Sequence, residues 1–299
     1  MRRALLGVFT YVGFALVLVA WLPVLGMVAL LDRSNLRRRG RWMRRFGRVS
    51  ARVAPQWRFR IEGTPPADVD RRAYVVVANH QSTADPWLLS GLRWDMRWIA
   101  KASLFRAPVI GWLMKLGGDL PVVRGQGASV RAMLAEADAT LAGGLSLMIF
   151  PEGTRSPDGE LGRFKDGAFE LAIGRGAPIL PVVVHGTHRC RPKGSWWFGE
   201  AEAVAKVLPP IPTVGLTLAD VPALREQVRA RIAVELERLR KAPVRVIAPA
   251  PVTSGELALP AVMAAAVLTA ASPGAGPGGD DAPIGSAVGP GDAIGVREG

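Results

Sequence analysis

YVVVANHQSTADP, residues 74–86, passes from a tyrosine and three valines through a polar turn to an Asp-Pro pair. The apolar run is short and bounded by turn residues, the pattern of a strand buried on both faces. Pro86 suits the first position of a helix, where its missing N–H has no partner to lose. A strand that feeds a helix through a polar turn is the repeating unit of α/β architecture, and the carboxyl ends of such strands are where these proteins place their sites.

The alternation continues along the chain. Strands are expected at Tyr74 to Ala78, Met96 to Ala100, Leu120 to Val123, Leu145 to Phe150 and Ile179 to Val184. Helices are expected from Asp85, over Leu104 to Leu116, over Ala128 to Leu141 with a stop at Gly143-Gly144, around Asp166 to Ile173, and over Leu224 to Leu239. In the last of these Leu224, Val228, Ile232, Leu236 and Leu239 make one apolar stripe, which must pack on the domain. The fold class expected is α/β, a mixed sheet flanked by helices, with an N-terminal membrane-associated helical segment.

Residues 4–31 carry no charge. As one straight helix they would measure about 42 Å at ~1.5 Å per residue, more than a ~30 Å hydrocarbon core, so tilt or a break near Pro23 and Gly26 would absorb the excess. The stretch is too long for the roughly 7–15-residue apolar core of a cleaved signal peptide. The net charge is +13, and much of it lies between Arg33 and Arg60. Such a run implies a polyanionic partner, and the adjoining apolar segment favours an anionic membrane over nucleic acid. The positive-inside bias then puts the folded part on the cytoplasmic side of the cell's inner membrane. The arginines can grip head groups or serve orientation alone, and both readings stay open. Cys190 is the only cysteine, which excludes an internal disulfide and a cysteine-based metal site. Four parts follow: residues 1–32 as the apolar membrane segment, 33–60 as an Arg-rich linker or helix, 61–247 as the folded domain, and 248–299 as an Ala/Pro/Gly-rich tail expected to be disordered, with Ala261 to Ala271 weighed as a short interfacial helix.

Two turns carry chemistry. His80 and Asp85 are five residues apart across a strand-to-helix turn, where a carboxylate that accepts one imidazole N–H leaves the other ring nitrogen as a base for a hydroxyl. A loop histidine and a helix-capping aspartate with no shared task would have the same spacing. FPEGTRS, residues 150–156, also follows a strand; its proline and glycine thin the turn so that backbone and the Arg155 guanidinium can approach an anion, although an ordinary turn with a surface arginine fits too. Lys101 and Arg124, each just past a strand, invite the same pair of readings.

Taken in order, NHQSTAD, KASLFRAPVIGWLMKLGGDLPVVRG, FPEGTRS and ILPVVV resemble the four motif blocks of the lysophosphatidate acyltransferase family of glycerolipid acyltransferases, over residues 60–210. The resemblance implies that His80 is the general base and Asp85 its orienting partner, and that Glu152, Gly153, Thr154 and Arg155 form the acceptor site with Lys101 and Arg124 nearby. It implies acyl transfer from an acyl-coenzyme A or acyl carrier protein thioester to a lysophospholipid, 1-acylglycerol 3-phosphate first among them, without a cofactor or metal and without nucleic acid as a partner. Glycerol 3-phosphate or another lysolipid is the alternative acceptor, and a non-enzymatic membrane-tethered binding protein the alternative of another class. Direct transfer suits a chain with one cysteine and no Gly-x-Ser-x-Gly elbow, and backbone N–H groups near Gly153 are the expected oxyanion donors. His185 and His188 are read as structural or surface residues.

Overall fold

A computed structural model describes residues 2–156, 158–191 and 195–241. The tail from 248 and its weighed helix at Ala261 to Ala271 lie outside the described residues.

Two helices, α1 (Arg2–Leu31) and α2 (Leu36–Arg52), precede a seven-stranded sheet. The strands are β1 (Trp57–Glu62), β2 (Val75–Ala78), β3 (Met96–Lys101), β4 (Leu120–Val122), β5 (Ser146–Ile149), β6 (Ile179–His185) and β7 (Ala201–Val207), in the order β1-β7-β6-β2-β5-β3-β4. All neighbours are parallel except β6 and β7, so the sheet is mixed as expected. The helices are α3 (Asp85–Leu89), α4 (Ile110–Gly117), α5 (Gly127–Ala142), α6 (Gly167–Gly174) and α7 (Val221–Lys241).

Strand alternation divides the core. Val75, Val77, Leu147 and Val183 point to one face, covered by Phe169 of α6 and by the α7 stripe Leu224, Val228, Ile232, Leu236 and Leu239, all five of which are buried. Val76, Ala78, Met148 and Val182 point to the other, against Leu88, Leu89 and Trp94. Both faces of the central strands are dry, which is why YVVVA carries no polar alternation.

Three expectations need correction. Residues 57–60, assigned to the end of the Arg-rich linker, belong with 61–62 to β1 and pair along its length with β7, itself unexpected. The WRFRIE pattern alternates aromatic or aliphatic with charged residues, the signature of an edge strand half in water. The stretch Leu104 to Leu116 divides into a 3₁₀ turn (Ala102–Arg106) and α4, because Pro108 keeps Ala107 extended and the chain turns through Val109 at φ +62. Finally, α1 has no break near Pro23. The proline costs it one backbone hydrogen bond, at the half-exposed Val19.

α1 does not stand apart from the domain. Phe14, Ala15, Val17, Leu18, Trp21 and Leu25 are buried in a second core with Phe46, Trp57, Leu113 and Phe198. Leu5, Val8, Phe9, Val12, Leu16, Val19, Met27, Leu30 and Leu31 remain exposed. Several arginines of the basic run are spent on docking α2. Arg44 is buried and donates to the Met96 carbonyl (2.5 Å) and Asp95 (3.2 Å); Arg37, Arg39 and Arg48 donate to the carbonyls of Gly144, Leu116 and Ser90. Arg33, Arg38, Arg41 and Arg45 stay exposed.

Candidate active site

Adjacent strands β2, β5, β3 and β4 run parallel, so their carboxyl ends form one edge, and every expected site residue follows one of them. His80 follows β2, Glu152 to Arg155 follow β5, Lys101 ends β3 and Arg124 lies two residues past β4.

The His80-Asp85 turn is held from several sides. Asn79 is 2% exposed and extends the β2–β6 ladder with its side chain, Nδ2 donating to Val184 O (2.9 Å) and Oδ1 accepting from Val184 N–H (2.7 Å). Asp85, wholly buried, opens α3. Its Oδ2 lies 2.6 Å from His80 Nδ1 and accepts the backbone N–H groups of Gln81 (2.8 Å) and Ser82 (3.0 Å). Its Oδ1 accepts the Thr187 hydroxyl at 2.5 Å. Four donors converge on this one carboxylate and fix its orientation. With Nδ1–H committed to Asp85, the Nε2 of His80 is the acceptor nitrogen. The ring lies 4.1 Å from that of Phe150, nearly parallel to it, which sets its plane.

Glu152 departs from its expected role. It is 7% exposed, and its two oxygens accept the backbone N–H groups of His80 (2.8 Å) and Gly162 (3.2 Å). Burial raises its pKa, and those two hydrogen bonds work against the shift. Glu152 thus braces the His80 turn from within and does not face an acceptor. Ser156 N–H donates to the His80 carbonyl (2.8 Å), so FPEGTRS holds both backbone groups of His80. Gly153 needs its left-handed φ of +69, and a side chain there would meet Lys165 at 3.2 Å. Its N–H is taken by the Phe150 carbonyl (3.1 Å), which removes it as an oxyanion donor.

Thr154, Arg155, Lys101 and Arg124 are exposed on this edge. Partial burial first, and then the charge of Arg155, lower the Arg124 pKa. Among the described residues Lys101, Arg124 and Arg155 form no salt bridge, and cations exposed on one edge without a counter-charge are the chemistry an anion site needs. Lys165 adds a fourth cation over Gly153, a residue without a signal in the sequence because its loop carries no periodicity. Thr187 had none either: it follows β6, 102 positions from Asp85. Cys190 is buried and its thiol pKa is pushed up, so it stays protonated at neutral pH and is a poor nucleophile. Among the described residues no group of three or more His, Cys, Asp or Glu side chains could hold a metal.

Residues 58–185 match the family model described as Acyltransferase. The chain is 37% identical over 147 residues to the chloroplastic 1-acyl-sn-glycerol-3-phosphate acyltransferase LPAT1 of Arabidopsis thaliana, covering 49% of this chain and 41% of that protein. It is 37% identical over 158 residues to the human 1-acyl-sn-glycerol-3-phosphate acyltransferase alpha (52% and 56%), and 32% identical over 153 residues to the 1-acyl-sn-glycerol-3-phosphate acyltransferase of Pseudomonas aeruginosa (51% and 58%). The chain thus spans about half the length of the curated relatives it matches. The crystal structure of the 1-acyl-sn-glycerophosphate acyltransferase PlsC from Thermotoga maritima superposes with a TM-score of 0.67 at 27% identity, over 82% of this chain and 98% of that one.

Proposed function

We propose that this chain, whose residues 58–185 match the acyltransferase family model, moves a fatty acyl group from a thioester to the sn-2 hydroxyl of 1-acylglycerol 3-phosphate, giving phosphatidate. The observation that carries this reading is the placement of the His80-Asp85 dyad on the same sheet edge as the exposed Arg155, Arg124 and Lys101, which form no salt bridge among the described residues. A base alone would serve many hydroxyls. A base beside gathered cations serves one whose carrier bears a phosphate.

His80 Nε2 takes the proton of the acceptor hydroxyl as its oxygen attacks the thioester carbonyl. The tetrahedral oxyanion collapses, the C–S bond breaks, and the imidazolium returns the proton to the departing thiolate. Asp85 holds the reactive tautomer and stabilises the imidazolium, while the Thr187 hydroxyl and two backbone N–H groups hold Asp85. Arg155, with Lys101, Arg124 and Thr154 beside it, binds the phosphate; Glu152 and Gly153 shape the turn that presents it. Acyl-coenzyme A or acyl carrier protein is the donor, and no cofactor is required. The exposed apolar face of α1 and the exposed arginines of α2 suit the surface of an anionic membrane, and the positive-inside bias favours the cytoplasmic side of the inner membrane for the domain. A lysolipid reaches the site from that leaflet.

The test uses washed membranes containing the full chain, an acyl thioester and lysophosphatidate. Wild type should form phosphatidate and His80→Ala should not; equal product from both would overturn the role of the dyad. Lysolipids with other head groups and glycerol 3-phosphate in the same assay identify the acceptor.

A further inference from the structure

Arg155 can serve a phosphate only if its loop keeps a fixed distance from His80. That loop is closed at its neck, where Lys165 N–H donates to the Pro151 carbonyl (2.9 Å), and braced inside by Glu152 on Gly162 N–H (3.2 Å). Its outer side is held from α7, a helix that lies outside every motif block.

Arg229 donates from Nε to the Gly162 carbonyl (3.1 Å) and from Nη2 to the Leu161 carbonyl (3.3 Å). Arg240, in the last turn of α7, donates from Nη2 to the Gly159 carbonyl (2.9 Å) and pairs with Glu160 (2.9 Å). A planar guanidinium fork matches two successive carbonyls better than a flexible ammonium does. The Gly159 carbonyl also accepts Gln81 Nε2 (3.0 Å), and Gln81 is the residue after His80, whose own N–H holds Asp85. One carbonyl therefore joins the end of α7 to the catalytic turn. Arg225 of α7 also pairs with Asp166, just past this loop, whereas Arg238 with Glu235 is an i,i+3 pair within one helix, which contributes little.

We propose that Arg229 and Arg240 are positioning residues for the acceptor site: α7 clamps residues 159–162 and so fixes Arg155 relative to His80. The clamp rests on the phosphate role given to Arg155 above.

The experiment compares the full-length wild type with Arg229→Ala, Arg240→Ala and their combination in washed membranes, and reads KM separately for lysophosphatidate and for the acyl thioester. The double variant should raise KM for lysophosphatidate about tenfold with the thioester constant within about twofold, the scale expected from a misplacement below 1 Å. Arg240→Lys should recover most of the single-variant loss, and Arg238→Ala should match wild type. Wild-type KM for lysophosphatidate in the double variant, or both constants rising together, would overturn the clamp. Should the double variant fail to accumulate, Glu160→Gln, a change on a side chain 65% exposed, removes only the ionic half of the Arg240 contact. It should raise the same constant about two- to threefold, and no change would overturn the proposal. Wild-type turnover of lysophosphatidate tests the reaction itself, and the ratio of variant to wild-type constants tests the clamp.

Discussion

Asp85→Asn separates geometry from charge in the dyad. Oδ2 of Asp85 faces three donors, His80 Nδ1 at 2.6 Å, Gln81 N–H at 2.8 Å and Ser82 N–H at 3.0 Å, while Oδ1 faces only the Thr187 hydroxyl. The asparagine oxygen fits only the Oδ2 position, because an NH₂ group there would oppose all three donors. Its nitrogen then faces Thr187, whose hydroxyl can rotate to accept. The turn therefore survives, and the negative charge does not. When His80 takes the acceptor's proton, its imidazolium loses a carboxylate centred about 4 Å away, which is worth ~4 kcal/mol at an effective dielectric of about 20. That corresponds to roughly a thousandfold in kcat at ~1.4 kcal/mol per factor of ten. The assay is the initial rate of phosphatidate formation in washed membranes, with thermal unfolding measured beside it. A variant that folds as wild type and keeps its rate within about threefold would refute the reasoning, because the charge of Asp85 would then be idle in the transition state.

Two further outcomes follow from buried polar groups. Asn79→Ala leaves the Val184 N–H and carbonyl unpaired in the core beside the site, so stability should fall by about 2–3 kcal/mol; denaturant unfolding checks this, and a loss below about 0.5 kcal/mol would mean that water replaces the amide. His185, with Nδ1 buried and unpartnered, has its pKa lowered from 6.5 to about 4 by burial first and then by His188, Arg189 and Arg240. Its folded pKa is depressed, so the unfolded chain binds the proton first; the neutral residue's contribution is complete above pH 6.5 and is lost as pH falls toward 4. His185→Gln should therefore flatten the decline of the melting temperature across that window. Equal slopes for the two proteins would remove His185 as the cause.

The central strands β2 and β6 were legible because they are buried on both faces and read as unbroken apolar runs, and YVVVA, MRWIA and ILPVVV all sit within a residue of their expected bounds. β1 and β7 escaped notice because an edge pair shows only half its pattern, and the arginines of WRFRIE continue a charge run that looks like a linker. At the site, residues with a local signal were found and residues joined only by tertiary contact were not. His80 and Asp85 share one turn. Thr187, Lys165, Arg229 and Arg240 reach the site from elements far along the chain, and no spacing rule connects them. Glu152 shows a further limit, since sequence places a carboxylate at a site without saying whether it faces the ligand or the backbone.

The N-terminal helix shows why hydropathy alone cannot assign a partner to an apolar face. A uniformly apolar helix satisfies protein core and lipid equally well, and its length says only that it is long enough to span. Packing divides the faces. Phe14 stacks on Trp87 with ring centroids 4.9 Å apart, and Trp87 belongs to α3, the helix that Asp85 begins. Thr10 accepts from Gln56 Nε2 (2.9 Å), and Trp21 Nε1 donates to the Trp42 carbonyl (3.0 Å), so the docked face is fixed by directional bonds as well as by burial. The face left over, from Leu5 through Phe9, Val12 and Val19 to Met27 and Leu31, is then tied to α3, the helix that Asp85 begins, by the Phe14–Trp87 stack and the core around it. In the reaction proposed above, whatever that face rests on sets the height at which His80 Nε2 would meet a lipid hydroxyl, which makes the docking of α1 part of the geometry of that reaction as well as of the fold.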